Sequence, residues 1–313
     1  MDAIKVDSVT RFYGEHTAVD DLSFTVNKGH IHGFLGPNGA GKTTTMKMIA
    51  GLLPAHQGQI LVNDQKLDKN LKSLKLDLGL LLETPPLFQD MEVREYLEYV
   101  ARLHRVPREN LSSAVDYAID KLKLNEVKNR LCGNLSKGFM QRVGIAQAIV
   151  HNPSIVILDE PTVGLDPQAV IEIRQFIQEL KKDHTVLLSS HLLHEISLVC
   201  DEVTIINKGK LVVSGPVEKI TENISQQAII EVKAKSLSAE QRERIESWFF
   251  VDRVIVGNEN NQEVSFQICL NSINDHRSEC LRNCIEAGIE VIYYEQQKMT
   301  LEDLFIYMTK EAK

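Results

Sequence analysis

The sequence predicts an α/β fold, and three patterns support this prediction. A short apolar run, Ile31–Leu35, precedes a glycine-rich loop and then a segment with helical spacing. A second apolar run at residues 155–158 ends in two acidic residues, as buried strands of parallel sheets often do. The last third of the chain alternates strands and helices in the order β-α-β-β-α-β, which is typical of a small ferredoxin-like α+β module.

The glycine-rich loop at residues 36–43 reads Gly-Pro-Asn-Gly-Ala-Gly-Lys-Thr, which is a complete phosphate-loop motif. Its glycines allow backbone N–H groups to turn inward around phosphates, and the following helix directs its positive end toward them. We expect Lys42 to reach the β- and γ-phosphates of a nucleotide and the Thr43 hydroxyl to bind Mg²⁺. The nucleotide-binding residues predicted from this motif are Gly36, Pro37, Asn38, Gly39, Ala40, Gly41, Lys42, Thr43 and Thr44.

Two carboxylates, Asp159 and Glu160, follow the second apolar strand. Phosphate-loop folds place a Mg²⁺-supporting aspartate at this point, so Asp159 is expected to hold the metal and its water shell. Glu160 can accept a proton from a water molecule that attacks the γ-phosphate, and we predict that it is catalytic. The alternative is that both acids only end the strand.

A helical insertion is predicted between these two motifs, at about residues 90–150. Apolar residues recur at helical spacing around residues 93–103 and 115–122. The segment Leu-Ser-Lys-Gly-Phe-Met-Gln-Arg at residues 135–142 then leads into another apolar helix. A Leu-Ser-x-Gly segment followed by Gln-Arg, shortly before an acidic strand, resembles the signature motif of the ATPase subunits of ABC transporters. The resemblance covers residues 1 to about 220.

This resemblance implies further site residues. Tyr13 is similar to the aromatic residue that stacks on adenine, and His191 is similar to the switch histidine that senses the γ-phosphate. Asp166 matches the loop that reaches the opposite subunit. The signature residues are expected to close over a nucleotide held by a second copy, or by a paralogous ATPase subunit; they are Ser136, Lys137, Gly138 and Phe139.

The chain departs from the usual family pattern at three positions. Lys137 and Phe139 replace residues that are most often Gly and Gln. Glu83 occupies a position commonly held by glutamine, and its carboxylate can still contact Mg²⁺ while adding negative charge near a triphosphate. The chemistry expected of the signature, a hydroxyl, a glycine backbone and a helix N-terminus, is retained.

A docking site for a membrane subunit is also implied by the resemblance, in the segment Glu83–Phe88. Two prolines hold this segment out of helix and strand, and we expect them to present Leu87 and Phe88 to a short helix of the partner. The alternative is a surface loop with two incidental apolar residues.

Composition limits the classes of partner. The net charge of −8 argues against a non-specific grip on nucleic acid, so none is expected. No apolar run approaches the roughly 20 residues that cross a bilayer, and no signal-peptide pattern is present, so we expect a cytoplasmic protein on the inner face of the inner or plasma membrane. The five scattered cysteines predict free thiols, and His30 and His32 are interpreted as structural.

The sequence thus predicts an ATPase domain at residues 1–222, built on a parallel sheet with an antiparallel β edge, and an accessory domain at residues 223–313. The final segment carries an apolar stripe that must dock on this chain or on a second copy: Leu301, Leu304, Phe305 and Met308. The expected function is ATP hydrolysis, with ATP and Mg²⁺, by an exporter subunit that dimerises and drives a separate membrane protein. Two alternatives stay open: a soluble ABC-type protein that acts on ribosomes or DNA, and a regulatory chain whose accessory domain senses a ligand.

Overall fold

The computed structural model describes residues 1–225, 228–260, 263–270 and 276–298. The chain divides into two compact units, one of residues 1–217 and a second that begins at Glu218. The boundary predicted at residues 222–223 falls inside a helix that begins at Val217. No helix within the described ranges is both long enough and apolar enough to cross a membrane.

The first unit contains ten strands and seven complete α-helices within its described residues. The strands are β1 Asp2–Tyr13, β2 His16–Asn27, β3 Ile31–Leu35, β4 Gln57–Val62, β5 Gln65–Lys66, β6 Leu78–Leu81, β7 Ile155–Leu158, β8 Thr185–Ser190, β9 Glu202–Asn207 and β10 Lys210–Pro216. The helices are α1 Lys42–Ile49, α2 Leu67–Leu74, α3 Val93–Leu103, α4 Leu111–Lys121, α5 Lys137–Ile149, α6 Pro167–Leu180 and α7 Leu193–Val199; α8 Val217–Ser225 follows at the boundary.

Six strands form the central sheet in the order β10-β9-β3-β8-β7-β6. The pairs from β6 to β9 are parallel, and β10 returns antiparallel to β9 as a hairpin. Every residue of β3, β7 and β8 is buried, in agreement with their mainly apolar sequences. Because β3, β8 and β7 are parallel neighbours, their carboxyl ends lie at one edge of the sheet, where ligands bind in open α/β folds.

The antiparallel strands near the start form a sheet of their own, in the order β2-β1-β4-β5. Its inner face shares a hydrophobic core with α1 and with the central sheet, through residues such as Val6, Phe24, Met46, Ile157 and Leu187. The predicted antiparallel edge is thus a second layer that covers α1. This layer places the hairpin between β1 and β2 beside the phosphate loop.

The helical insertion consists mainly of α3, α4 and α5, which pack on one another. Helix α5 also packs on β6 and β7, and residues on several of its sides are buried. At Gly144 of α5, an added Cβ would lie 2.7 Å from the side chains of both Leu81 and Pro85. Only glycine allows the helix to approach the segment after β6 this closely.

The second unit contains β11 Ala228–Ala234, α9 Ala239–Glu246, β12 Val251–Asn260, β13 Glu263–Leu270, α10 Arg277–Glu286 and β14 Val291–Lys298. Its sheet has the order β12-β13-β11-β14, and each neighbouring pair is antiparallel. Val232, Phe266 and Ile268 pack against Ile245 of α9 and Cys280 of α10 in the core. This order and topology confirm the predicted ferredoxin-like module; the stripe at residues 301–308 lies outside the described residues.

All five cysteines fall in the described part of the chain, where they are buried and form no disulfide. Cys280 and Cys284 belong to the core of the second unit. The buried His32 bonds through Nε2 to the Thr204 hydroxyl at 2.8 Å and contacts Glu202 at 3.4 Å. Hydrogen bonding to His32 lowers the pKa of Glu202 to about 2. Within the described ranges, no group of three or more metal-ligating side chains is arranged to hold a metal ion by itself.

Candidate active site

A cleft of about 490 Å³ lies at the carboxyl edge of the central sheet. It joins the phosphate loop, the carboxylate after β7, the histidine after β8 and the hairpin between β1 and β2. The residues that line it are Tyr13, His16, Ala18, Asn38, Gly39, Gly41, Lys42, Thr43, Thr44, Glu83, Glu160, Val163 and His191. Residues distant in sequence thus meet in one site because parallel strands deliver their outgoing loops to the same edge.

The phosphate loop depends on glycine at particular positions. Gly41, which precedes α1, has a φ of 104°, and an added Cβ would lie 2.5 Å from the carbonyl oxygen of Ala18. An added Cβ at Gly36 would lie 2.7 Å from the carbonyl oxygen of Ile206. Gly39 has a φ of 82° and faces open space. The loop therefore combines left-handed backbone with an unobstructed face on which phosphates can rest.

Lys42 and Glu160 form a buried ion pair at the centre of the cleft. Lys42 Nζ lies 3.2 Å from Glu160 Oε1, and it donates a hydrogen bond to the carbonyl oxygen of Gly36 at 2.8 Å. The second oxygen, Glu160 Oε2, lies 2.9 Å from His191 Nδ1. Both carboxylate oxygens of Glu160 are thus engaged, one by a cation from the phosphate loop and one by the histidine.

The backbone of Glu160 has a φ of 49°, a left-handed conformation that costs a residue with a side chain roughly 1 to 3 kcal/mol. A hydrogen bond from its N–H to Ser189 Oγ at 2.9 Å helps to hold it there. This left-handed conformation turns the chain sharply at the end of β7, and the turn brings the Glu160 carboxylate into the cleft.

Asp159 is fully buried beneath the cleft. Its Oδ1 accepts a hydrogen bond from Ser189 Oγ at 2.6 Å, whereas Oδ2 has no hydrogen-bond partner among the residues that the structure describes. A buried carboxylate oxygen without a partner is costly unless a cation or an ordered water satisfies it. The oxygen donors of Asp159, together with Thr43 and Glu83 in the cleft, are of the type that Mg²⁺ prefers.

Sequence reasoning missed Ser189, which joins the two acids by donating to one and accepting from the other. The available signal was a pair of serines that end an otherwise apolar buried strand, directly before His191. It also missed His16, which pairs with Tyr13 across the hairpin and lines the cleft. Tyr13 is 46% exposed, with the Arg11 guanidinium 5.2 Å from its ring centroid, so the ring remains accessible for stacking.

The signature lies outside this cleft: of the described residues that line it, none belongs to residues 136–139. Ser136 caps α5 by accepting a hydrogen bond from the N–H of Phe139 at 3.4 Å, and its side chain is exposed. The ammonium of Lys137 lies against Gly164, where an added Cβ would come within 2.0 Å of it. The structure therefore separates the signature from the phosphate loop of the same chain.

Asp166 caps a helix as well. Its Oδ1 accepts a hydrogen bond from the N–H of Ala169 at 3.0 Å, at the start of α6. The Phe139 ring packs against the guanidinium of Arg142, which in turn pairs with Glu172. Asp166 and Phe139 thus each contact a residue of their own chain, in addition to the roles expected for them in binding a nucleotide across two subunits.

The segment Glu83–Phe88 presents only one of its two apolar side chains, contrary to what the sequence predicts. Glu83 is exposed and lines the cleft, and Phe88 is 48% exposed, with its ring in T-shaped contact with Tyr96 and Tyr99 of α3. Leu87, however, is only 7% exposed, so the expectation that it is presented to a partner is wrong. The chain turns tightly here, since the N–H of Leu87 bonds to the carbonyl of Pro85 at 2.9 Å, and Leu87 packs inward.

The fold and the site define a phosphate-loop ATPase. A family model described as ABC transporter matches residues 19–163. The uncharacterised ABC transporter ATP-binding protein YxlF of Bacillus subtilis is 33% identical over 308 residues, which span 97% of this chain and 98% of the relative. The chain therefore belongs to the family of ABC transporter ATP-binding proteins, whose ATP hydrolysis powers transport, as the signature motif suggested.

Other relatives agree with this assignment. The bacitracin transport ATP-binding protein BcrA of Bacillus licheniformis is 39% identical over 219 residues, which span 69% of this chain and 71% of the relative. Among solved structures, cbiO1 of Clostridium perfringens, part of the ABC transporter complex cbiONQ, matches with a TM-score of 0.65 and 28% identity. That match covers 71% of this chain and 91% of cbiO1.

Proposed function

We propose that two copies of this chain enclose two ATP molecules, hydrolyse them, and drive a separate membrane subunit that exports a compound. The observation that carries the proposal is the separation of the signature from the cleft. Ser136 is exposed and Gly138 is half-buried at the start of α5, and neither lines the cleft of its own chain, so we assign both to a nucleotide held by a second chain. A paralogous subunit with the same motifs is the other possible second chain.

The ion pair in the cleft suggests how binding prepares hydrolysis. A triphosphate is a stronger partner for Lys42 than one carboxylate, so nucleotide binding would draw the ammonium away from Glu160 Oε1. That oxygen would then be free to accept a proton from the attacking water, while Oε2 stays with His191. In this scheme Lys42 both binds phosphate and releases the base.

Mg²⁺ fits the oxygen donors beside the phosphate loop. Thr43 would contact it directly, Asp159 would support it through the unpartnered Oδ2, and Glu83 would face it from the edge of the cleft. The ion would neutralise charge on the β- and γ-phosphates. Tyr13 would stack on the adenine, and the backbone at the half-buried Gly138 would receive the γ-phosphate held by the other chain.

A membrane subunit would dock next to Glu83–Phe88, and we expect the chain to act on the cytoplasmic face of the membrane. A mainly apolar groove of about 310 Å³ lies at the end of α3, apart from residues 83–88, and the side chains that form it include Leu52, Leu80, Leu103, Lys75 and Gln147. The stacked rings of His104 and His151 complete it, and burial lowers the pKa of both, so they are uncharged at neutral pH. Such a groove suits one apolar face of an amphipathic helix.

The direction of transport rests on the family resemblance of the sequence to export-type members. The relative BcrA serves bacitracin transport, and this role is consistent with an exporter. The cargo would be selected by the membrane subunit. The ATPase reaction is common to all cargoes.

Two inactive variants test whether each ATP site combines the phosphate loop of one chain with the signature of the other. Lys42→Ala should abolish nucleotide binding at a chain's own phosphate loop, and Ser136→Arg should spare binding but block closure by charge and bulk. A mixed dimer has one intact site, so an equimolar mixture should recover about a quarter of wild-type ATPase activity at most. Crosslinking must confirm that mixed dimers form. A mixture that contains them and stays inactive would contradict the proposal.

A further inference from the structure

The segments that leave β7 and β8 are connected to each other by a series of side-chain contacts. Ser189 Oγ bonds to the backbone of Glu160 at the strand ends, and His191 contacts the Glu160 carboxylate one step further along. A third contact lies beyond these two: Thr162 Oγ1 donates a hydrogen bond to Glu195 Oε2 at 2.5 Å. Neither Thr162 nor Glu195 is among the cleft-lining residues.

The third contact is built to be strong. A hydroxyl that donates to a carboxylate at this distance forms a charge-assisted bond, roughly twice as strong as a neutral one. Glu195 belongs to the first turn of α7, where free backbone N–H groups favour a negative side chain. Both side chains are partly buried, which limits competition from water. The bond therefore attaches a loop to a helix.

The loop that this bond holds is the turn at residues 160–163, which begins at Glu160. The N–H of Val163 bonds to the carbonyl of Glu160 at 3.2 Å, so Thr162 lies inside the turn that Glu160 opens. A residue in left-handed backbone keeps that conformation only where the surroundings hold it on more than one side. Ser189 holds Glu160 from the strand side, and Glu195 holds the turn from the other side.

We propose that Glu195 is a positioning residue for ATP hydrolysis, because its hydrogen bond to Thr162 keeps the Glu160 carboxylate beside His191 and inside the cleft. This inference rests on the proposed function. It assigns the bond to the catalytic step and not to ATP binding, since neither partner is among the described residues that line the nucleotide cleft. A purely structural contact would instead change thermal stability and leave the kinetic constants of the folded enzyme unchanged.

The test uses full-length protein and compares kcat, KM for ATP and Tm. Thr162→Val removes the hydroxyl at nearly constant volume, and we expect kcat to fall about 10-fold with KM within about twofold, because a misplaced base slows chemistry. Thr162→Ser keeps the hydroxyl and should retain at least about half of the wild-type kcat. Glu195→Gln leaves a weaker neutral acceptor and should lower kcat about threefold. The exposed Glu126 offers a matched Glu→Gln control that should change nothing.

The double variant decides whether the two residues act together. If they share one bond, Thr162→Val with Glu195→Gln should be no slower than Thr162→Val alone. Additive losses, a loss confined to KM, or a normal kcat in Thr162→Val would each overturn the inference. If Thr162→Val does not fold, Glu195→Gln carries the test, and a normal kcat there is equally decisive.

The same data separate this inference from the proposed function. A wild-type protein without ATPase activity, or one that Glu160→Gln leaves fully active, would defeat the proposed function. A wild-type enzyme that Glu160→Gln inactivates but Thr162→Val leaves unchanged would defeat only the role of Glu195.

Discussion

Glu160 has its two carboxylate oxygens engaged by Lys42 and His191 and its backbone N–H engaged by Ser189. A residue that only ended a strand would not need a left-handed backbone or a charged or polar partner on each carboxylate oxygen. These contacts agree with the proposal that Glu160 is the general base and that its Oε1 becomes free when a bound triphosphate draws Lys42 away. Replacing the carboxylate by an amide of the same shape tests this role.

Glu160→Gln should leave ATP affinity nearly unchanged and slow hydrolysis on the order of 10²-fold or more, because the amide cannot accept a proton from water. Single-turnover hydrolysis and equilibrium binding of ATP measure the two effects separately. An ATP-bound dimer should accumulate and be visible by size-exclusion chromatography. Hydrolysis at the wild-type rate would mean that Glu160 is not the base.

At the scale of single residues, the sequence predicted those side chains whose spacing is fixed by chemistry. Lys42, Glu160 and His191 meet in one cleft because each follows a buried strand of the same sheet. Ser189 and Glu195 could not be predicted in this way, since their importance depends on which loops become neighbours. A single sequence carries no direct record of such neighbours.

The segment between β6 and α3 shows the same limit at the scale of elements. Its prolines were read correctly as breaking helix and strand, but the pattern could not tell that the tight turn at Pro85 directs Leu87 inward. Phe88 alone keeps an exposed aromatic face, supported by Tyr96 and Tyr99. Regular elements were easier, because strict alternation and helical spacing report burial directly, as in the second unit.

Phe88→Asp should therefore abolish capture of the membrane subunit while the ATPase activity of the isolated chain stays within about twofold, since a charge on an apolar contact opposes docking without touching the cleft. Co-purification from detergent extract measures capture. Leu87→Asp is the informative comparison: it buries a charge, so it should lower Tm and affect both properties. Equal capture by Phe88→Asp and wild type would remove this segment from the interface.

The whole molecule divides into an ATPase unit and a ferredoxin-like unit, and every described residue that lines the cleft precedes the division. A chain that ends at Ser225 should therefore fold and bind ATP with a Kd within about threefold of the full chain, as expected of a domain with its own core. Fluorescent-nucleotide binding and circular dichroism measure the two properties. A folded but non-binding shortened chain would show that the second unit contributes to the site.

The close approach of Gly144 to Pro85 couples the segment after β6 to helix α5 through tight packing. Helix α5 begins beside Ser136, and its middle lies without spare room against the segment that would meet the membrane subunit. Close-packed protein interiors have low compressibility, so we expect a displacement of that segment to shift the helix as well. If the membrane subunit docks at Phe88 as proposed, its pressure on this segment should shift α5 at Gly144, and Ser136 at the start of that helix should move with it.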